Sequence, residues 1–473
     1  MPIPPPSHLA VLNTLIVHPI YTTRAEKPDQ REVSTRALAY LRDVLKTVGP
    51  VDANFRTAFQ FRASERWNRR STYSGYNTDS EMSDGDSEAH EDRIRGRMAD
   101  ESSVWRRGRD FWSTVGWAFN CSSLYPDRWK YWRAWLEFMF DVLEADWQER
   151  TRQDLETHES TGGEGDAPTT AREDAMILAY MNQQNGSHGG FKNIIKAILA
   201  DGGSLSTSAF QEVFDKEPRG PRKEESRKRK RHEELDLEND KFGDYFEEEG
   251  LSSSISEPPT PERPRERRGA SFGIAYSGLA ESVDLRMRLF CLVSEATYTT
   301  RKRTEINKLY EALGAGLKVA PLEFFNLFVS QRTSPLELEM QVTLFKELFH
   351  LLLPATHKNP HKIDPDGEAT GNLTTAMMEH CYMPYPANTI SIEDNAKLSL
   401  VVESSLQMLW ANDMLDYSKD FAVSAEKGIE ARLTKCKKKR TGKAKADADE
   451  VIAQDSLRHS GDRIQLMLEM IKA

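Results

Sequence analysis

From Trp105 to Trp147 the chain runs WRRGRDFWSTVGWAFNCSSLYPDRWKYWRAWLEFMFDVLEADW, a stretch that holds seven of its nine tryptophans. Pro126 stands where the first turn of a helix tolerates proline. Behind it, Trp129, Trp132, Leu136, Phe140, Leu143 and Trp147 recur at spacings of 3, 4, 4, 3 and 4, one unbroken apolar stripe. Trp135, Phe138 and Val142 fall on a second face, so the helix is apolar over more than half its circumference and needs neighbours on several sides. Such aromatic surface can stack on a ligand or nucleic acid, dock a partner, or form a core; the helical period predicts the core. Arg106, Arg107, Arg109, Arg128, Lys130 and Arg133 would suit a nucleic-acid platform, but Glu137, Asp141, Glu144 and Asp146 are placed to pair with them on the outer face.

Other segments follow the same period. Asp29 can cap a helix carrying Val33, Ala37, Leu41, Val44, Leu45 and Val48, which stops at Gly49-Pro50. REDAMILAYMNQQ, GGFKNIIKAILA and STSAFQEVFDK predict shorter helices after a polar break at 151–170. SPLELEMQVTLFKELFHLLLP offers Ser334 as N-cap, Pro335 at the first helical position and Glu337 to complete a capping box, and SIEDNAKLSLVVESSLQMLW repeats the device with Ser391 and Asp394. With no convincing strand pattern and no fixed repeat, the expected fold is all-α: an irregular helical bundle or stacked helical hairpins in two lobes with long disordered inserts.

Composition divides the chain. Only 38% of residues are hydrophobic and 29% are charged, and the polar excess is concentrated. Residues 71–103 are serine-rich and acidic, and 217–275 mix prolines with basic and acidic runs; neither can offset its ordering entropy by burial. The expected organisation is a helical start of lobe 1 at 1–70, a disordered insert at 71–103, the tryptophan-rich remainder of lobe 1 at 104–216, a disordered linker at 217–275, and lobe 2 at 276–473 with a lysine-rich loop at 435–445.

Cys121, Cys291, Cys381 and Cys436 are scattered without a C-x-x-C pair, which speaks against zinc modules and disulfide frameworks and fits a reducing compartment. The apolar run near the start lacks a basic region before it and is broken by His18-Pro19, so neither a signal peptide nor a membrane helix is expected, and the glycosylation-type triplets at Asn120, Asn185 and Asn372 are chance matches. No common nucleotide-binding, hydrolase or metalloprotease motif occurs, so a non-enzymatic protein without cofactor or metal is expected. The glycine-rich turn at 182–192 fits an inter-helix loop, and His357, His361, Asp364, Asp366 and Glu368 fit a solvated loop whose spacing fails the calcium pattern. His380-Cys381 is expected to be a satisfied buried pair rather than a nucleophilic site.

The basic motifs are sharper. Arg222 and Lys223, a short spacer, then Arg227, Lys228, Arg229, Lys230 and Arg231 give the extended cation series that a nuclear import receptor's acidic groove needs. Thr260 precedes Pro261, with Arg263 beyond, as proline-directed kinases require, while acids surround Thr78, Ser80 and Ser83; all four are phosphorylation candidates. Within the basic stretch from Lys427 to Lys445, which also includes Arg432, residues Lys435, Lys437, Lys438, Lys439 and Arg440 are candidates for sequence-independent phosphate contact. A net charge of -10 means any such contact is local. The expectation is a phosphoregulated nuclear adaptor subunit of a chromatin, DNA-maintenance or RNA-processing complex, with protein partners and an import receptor; the alternative is direct nucleic-acid binding through the C-terminal lysines.

Overall fold

The computed structural model describes residues 3–61, 94, 96–160, 170–184, 190–219, 271–300, 303–330, 334–437 and 448–472. Among the described residues the regular structure is entirely helical, and twelve helices reach eight residues or more: α1 Pro6–Val17, α2 Pro28–Thr47, α3 Phe111–Leu124, α4 Pro126–Ser160, α5 Gly190–Ile198, α6 Ser271–Thr300, α7 Arg303–Val319, α8 Leu322–Val329, α9 Leu338–Leu352, α10 Ile392–Ala411, α11 Lys419–Lys437 and α12 Ala448–Lys472. No described helix is long and apolar enough to cross a membrane.

α4 is the axis of the N-terminal half, packed against α1, α2, α3 and α6. Its stripe is buried as the spacing predicts: all seven tryptophans from Trp105 to Trp147 are at most 5% exposed, with Trp132 and Trp135 fully covered. All of these indoles except that of Trp129 also find a partner for the ring N–H. Trp112 donates to the Tyr180 carbonyl at 2.9 Å, Trp135 to Asn13 Oδ1 at 2.7 Å and Trp147 to Glu295 Oε1 at 2.8 Å, as buried indole N–H groups require. The pairing expected on the outer face is different. Arg133 does meet Glu137, but Asp141 and Glu144 hold Arg288 of α6, and Asp146 is buried between Arg150 and the Met176 amide. Asp141 and Glu144 thus fasten a neighbouring helix, while Glu137 and Asp146 also pair within α4.

α4 continues through the expected break to Ser160. Arg152 bridges Glu149 and Glu156 one turn to either side, and Asp154 receives the Ala171 and Arg172 amides, so polar residues extend the helix. STSAFQEVFDK goes the other way: the helix is Ser204–Ala209, and Phe210, Val213 and Phe214 are buried from an irregular stretch behind it. Helix starts move too. Lys27, not Asp29, is the N-cap of α2, with Pro28 opening the helix and Asp29 in its acidic first turn. Ser334 caps a turn at Leu336, and α9 begins only at Leu338 after Glu337. Ser391 precedes α10 as expected but makes no side-chain cap.

α10 is the axis of the C-terminal half, buried continuously from Asn395 to Leu406 and surrounded by α8, α9, α11 and α12. α12 lies parallel to it: Ser399 meets Ser460 at 2.9 Å, and Glu403 one turn on meets Arg463 at 2.5 Å. The two lobes share one hydrophobic cluster, because α6 packs on α3 and α4 while α5 packs on α7. The α3–α6 contact depends on Gly278, whose missing Cβ would lie 2.1 Å from the Ser122 carbonyl oxygen.

Candidate functional site

Much of the sequence-predicted chemistry falls outside the described residues: Arg222, Lys223, Arg227, Lys228, Arg229, Lys230, Arg231, Thr78, Ser80, Ser83, Thr260, Lys438, Lys439 and Arg440, together with the side chain of Lys437. What the structure does place is where the basic segment departs. Glu217, expected to open a disordered linker, is fully buried and belongs to the core. Its Oε1 accepts from Arg128 Nε at 2.8 Å and from Trp132 Nε1 at 2.5 Å, and its Oε2 accepts from Trp117 Nε1 at 3.0 Å and the Phe214 amide at 3.2 Å. Arg128, equally buried, also donates to Thr22 and to the Val17 carbonyl, both at 2.7 Å. A carboxylate offsets the cost of burying this guanidinium, and Glu217 is that carboxylate. The other expected boundary shifts as well, since Ser103 caps the turn of helix at Val104–Arg107 and is itself buried.

Two more arginines are fully buried. Arg286 of α6 donates to Ser282 Oγ and to the Ile198 and Phe119 carbonyls, with the Phe119 ring centroid 4.1 Å from its guanidinium carbon; burial lowers its pKa to about 9. Arg432, counted above in a basic, phosphate-contacting stretch, faces inward instead. Its Nη1 donates to the Met383 carbonyl at 3.1 Å, its Nε and Nη2 have no partner among the described residues, and burial alone pushes its pKa down to about 10. Lys435 is drawn in beside it: α11 runs on through Lys437, so the expected loop starts later, and Lys435 Nζ donates to the Ala387 carbonyl. Neither Arg432 nor Lys435 is a free surface cation.

The histidine- and acid-rich loop folds into two short helices, Pro360–Ile363 and Pro365–Thr370. Asp364 caps the second: the Gly367 amide and the Thr374 hydroxyl bond its carboxylate and hold its pKa below the usual range. Glu368 takes Lys346 at 2.6 Å. No group of three metal-ligating side chains converges among the described residues. His380 and Cys381 lie in a π-helical turn, Met378–Tyr382, where they part company: His380 stays half-exposed beside Glu379, while Cys381 is buried and its thiol pushed up to about 11. A thiol held that high does not supply a thiolate at neutral pH.

A concave feature unconnected with any of these motifs lies at the end of α10. Phe328 and Val329 of α8, Leu336, Phe345 of α9 and Met408 of α10 wall a cavity of about 160 Å³, with Gln341, Ser404 and Asn412 among its polar lining. Sequence reasoning missed it because its residues come from four segments and none belongs to a motif. Compared with family models, curated proteins and solved structures, the chain matches none of them.

Proposed function

We propose that the chain is a nuclear, non-enzymatic helical adaptor, regulated by phosphorylation, in a complex that maintains chromatin or DNA or processes RNA. The observation that carries the reading is how the basic segment is mounted. It leaves the helical body directly after Glu217, which is bonded to Arg128, Trp117 and Trp132 inside the core, and the chain returns at α6, which packs on α3 and α4 of the same half. Residues 220–270, with the import-type cations and Thr260, therefore span two fixed points on one body. An import receptor or kinase can engage such a segment without unfolding the domain that carries it. Arg432 and Lys435 support protein rather than nucleic-acid partners, because two cations of the C-terminal cluster are spent on backbone carbonyls.

The test is localisation combined with capture. With Arg227, Lys228, Arg229, Lys230 and Arg231 replaced by alanine, the full chain should lose nuclear accumulation, and the native chain should co-purify with a stoichiometric protein partner whose recovery survives nuclease treatment. Unchanged nuclear accumulation, or recovery of nucleic acid as the only partner, would reject the proposal.

A further inference from the structure

The cavity at the end of α10 has a defined chemistry. Its volume, about 160 Å³, is that of a cavity which holds a single benzene-sized ring (about 150 Å³). Phe328 and Phe345 offer aromatic rings and Met408 a thioether, the surroundings that aromatic guests favour. Phe328 is itself fixed by an edge-on contact with Phe324 at 5.0 Å.

The polar groups are equally selective. Among the described residues, no charged side chain lines the cavity. Gln341 and Asn412 are each fastened by the nitrogen end of the amide: Gln341 Nε2 donates to the Leu336 carbonyl at 2.7 Å, and Asn412 Nδ2 to the Met408 carbonyl at 2.8 Å. An amide anchored through its NH2 presents its carbonyl oxygen as an acceptor. Ser404, 5% exposed, adds a buried hydroxyl that has no partner among the described residues. Buried polar atoms of this kind are ordinarily satisfied, by a ligand or water where the protein does not do it.

We infer that this cavity is a binding site for a neutral aromatic ring that carries a hydrogen-bond donor, a phenol being the type. The ring fills the apolar wall and the donor meets the amide oxygens; a carboxylate is disfavoured because the described lining offers no cation to offset the cost of burying its charge. The same group reaches the site either as a free phenolic compound or as a tyrosine side chain. The site is independent of the adaptor reading, since it rests on the cavity alone.

The probes are phenol, benzene, benzoate and N-acetyltyrosine amide, titrated into the full chain and followed by chemical-shift changes of selectively labelled Met408 and by calorimetry. Phenol should bind, benzene should bind roughly tenfold more weakly for want of one hydrogen bond, and benzoate should not bind. Tyrosine amide binding at least as tightly as phenol assigns the site to a protein side chain, and phenol binding alone assigns it to a free molecule. Ser404→Leu fills the cavity and should abolish binding. Should that variant misfold by circular dichroism, Asn412→Ala, at an exposed position, should weaken phenol towards benzene. Absence of binding by both phenol and tyrosine amide at millimolar concentration, or equal binding of benzoate, overturns the assignment.

Discussion

Replacing Glu217 tests the least expected contact in the molecule. Glu217→Ala removes the carboxylate that accepts from Arg128, Trp132, Trp117 and the Phe214 amide, and strands a guanidinium that is 1% exposed. Deleting one partner of a buried ion pair costs about 3–5 kcal/mol. The orphaned indole N–H groups would add about 1–3 kcal/mol each if they acted independently, but they share the same desolvated pocket, so a total of about 5 kcal/mol is expected. That approaches the whole stability of a marginal domain, about 5–15 kcal/mol. Glu217→Gln keeps one acceptor oxygen and should cost about half as much. Arg128→Met with Glu217→Met should recover most of the loss, because apolar replacement of a whole buried pair is often near neutral. Urea denaturation followed by tryptophan fluorescence and circular dichroism gives each midpoint. A Glu217→Ala variant within about 0.5 kcal/mol of the parent would show that residue 217 is not docked in the core. A double variant no better than Glu217→Ala would show that the stranded cation is not the cause.

Two further outcomes follow from the same half of the molecule. Trp132→Ala and Trp135→Ala, at fully covered positions that pack edge-on at 5.5 Å, should each destabilise by about 3–5 kcal/mol in the same denaturation assay; unchanged midpoints with lost partner binding would instead make the belt a surface. His18 is buried beside Phe214, and burial, reinforced by Arg128, Arg97, Arg107 and Arg24, lowers its pKa from 6.5 to about 4. The folded state therefore disfavours the proton, so the stability present above pH 6.5 is lost as pH falls towards 4, by about 3 kcal/mol at the limit. His18→Asn, which keeps an acceptor for the Ile20 amide, should flatten the pH dependence of the urea midpoint across that window; parallel profiles for the two proteins would refute the assignment.

What was legible in the sequence was periodic. The stripe from Trp129 to Trp147 states which face is inward, because helical spacing and burial are one geometric constraint. What was illegible was charged. Glu217 and Arg432 sit in runs whose composition signals solvent, and nothing local distinguishes the one acid that meets Arg128, or the one arginine on the inner face of α11, from their exposed neighbours. Partners distant in sequence decide such cases: Arg128 and Glu217 are 89 residues apart. Helix starts were half legible. Pro28 and Pro335 both mark the neighbourhood of a start, but α2 begins at its proline whereas α9 waits until Leu338, since Ser334 closes a local turn first. The cavity at the end of α10 carried no sequence signal, because a pocket is a relation among segments rather than a property of one.

The core shared by both halves changes what the long insert means for the covalent chain. Glu217 is held on one side of residues 220–270 and α6 lies on α3 and α4 on the other, so the insert closes a loop on a body that packing already holds together. A backbone cut within it would release no domain. The two fragments would stay joined through the α3–α6 and α5–α7 contacts, and severing the chain there would cost only the entropy of loop closure, which varies slowly with length. The molecule is thus divisible in sequence and indivisible in space, so the insert can be lengthened, shortened or rewritten while the helical body keeps a single shape.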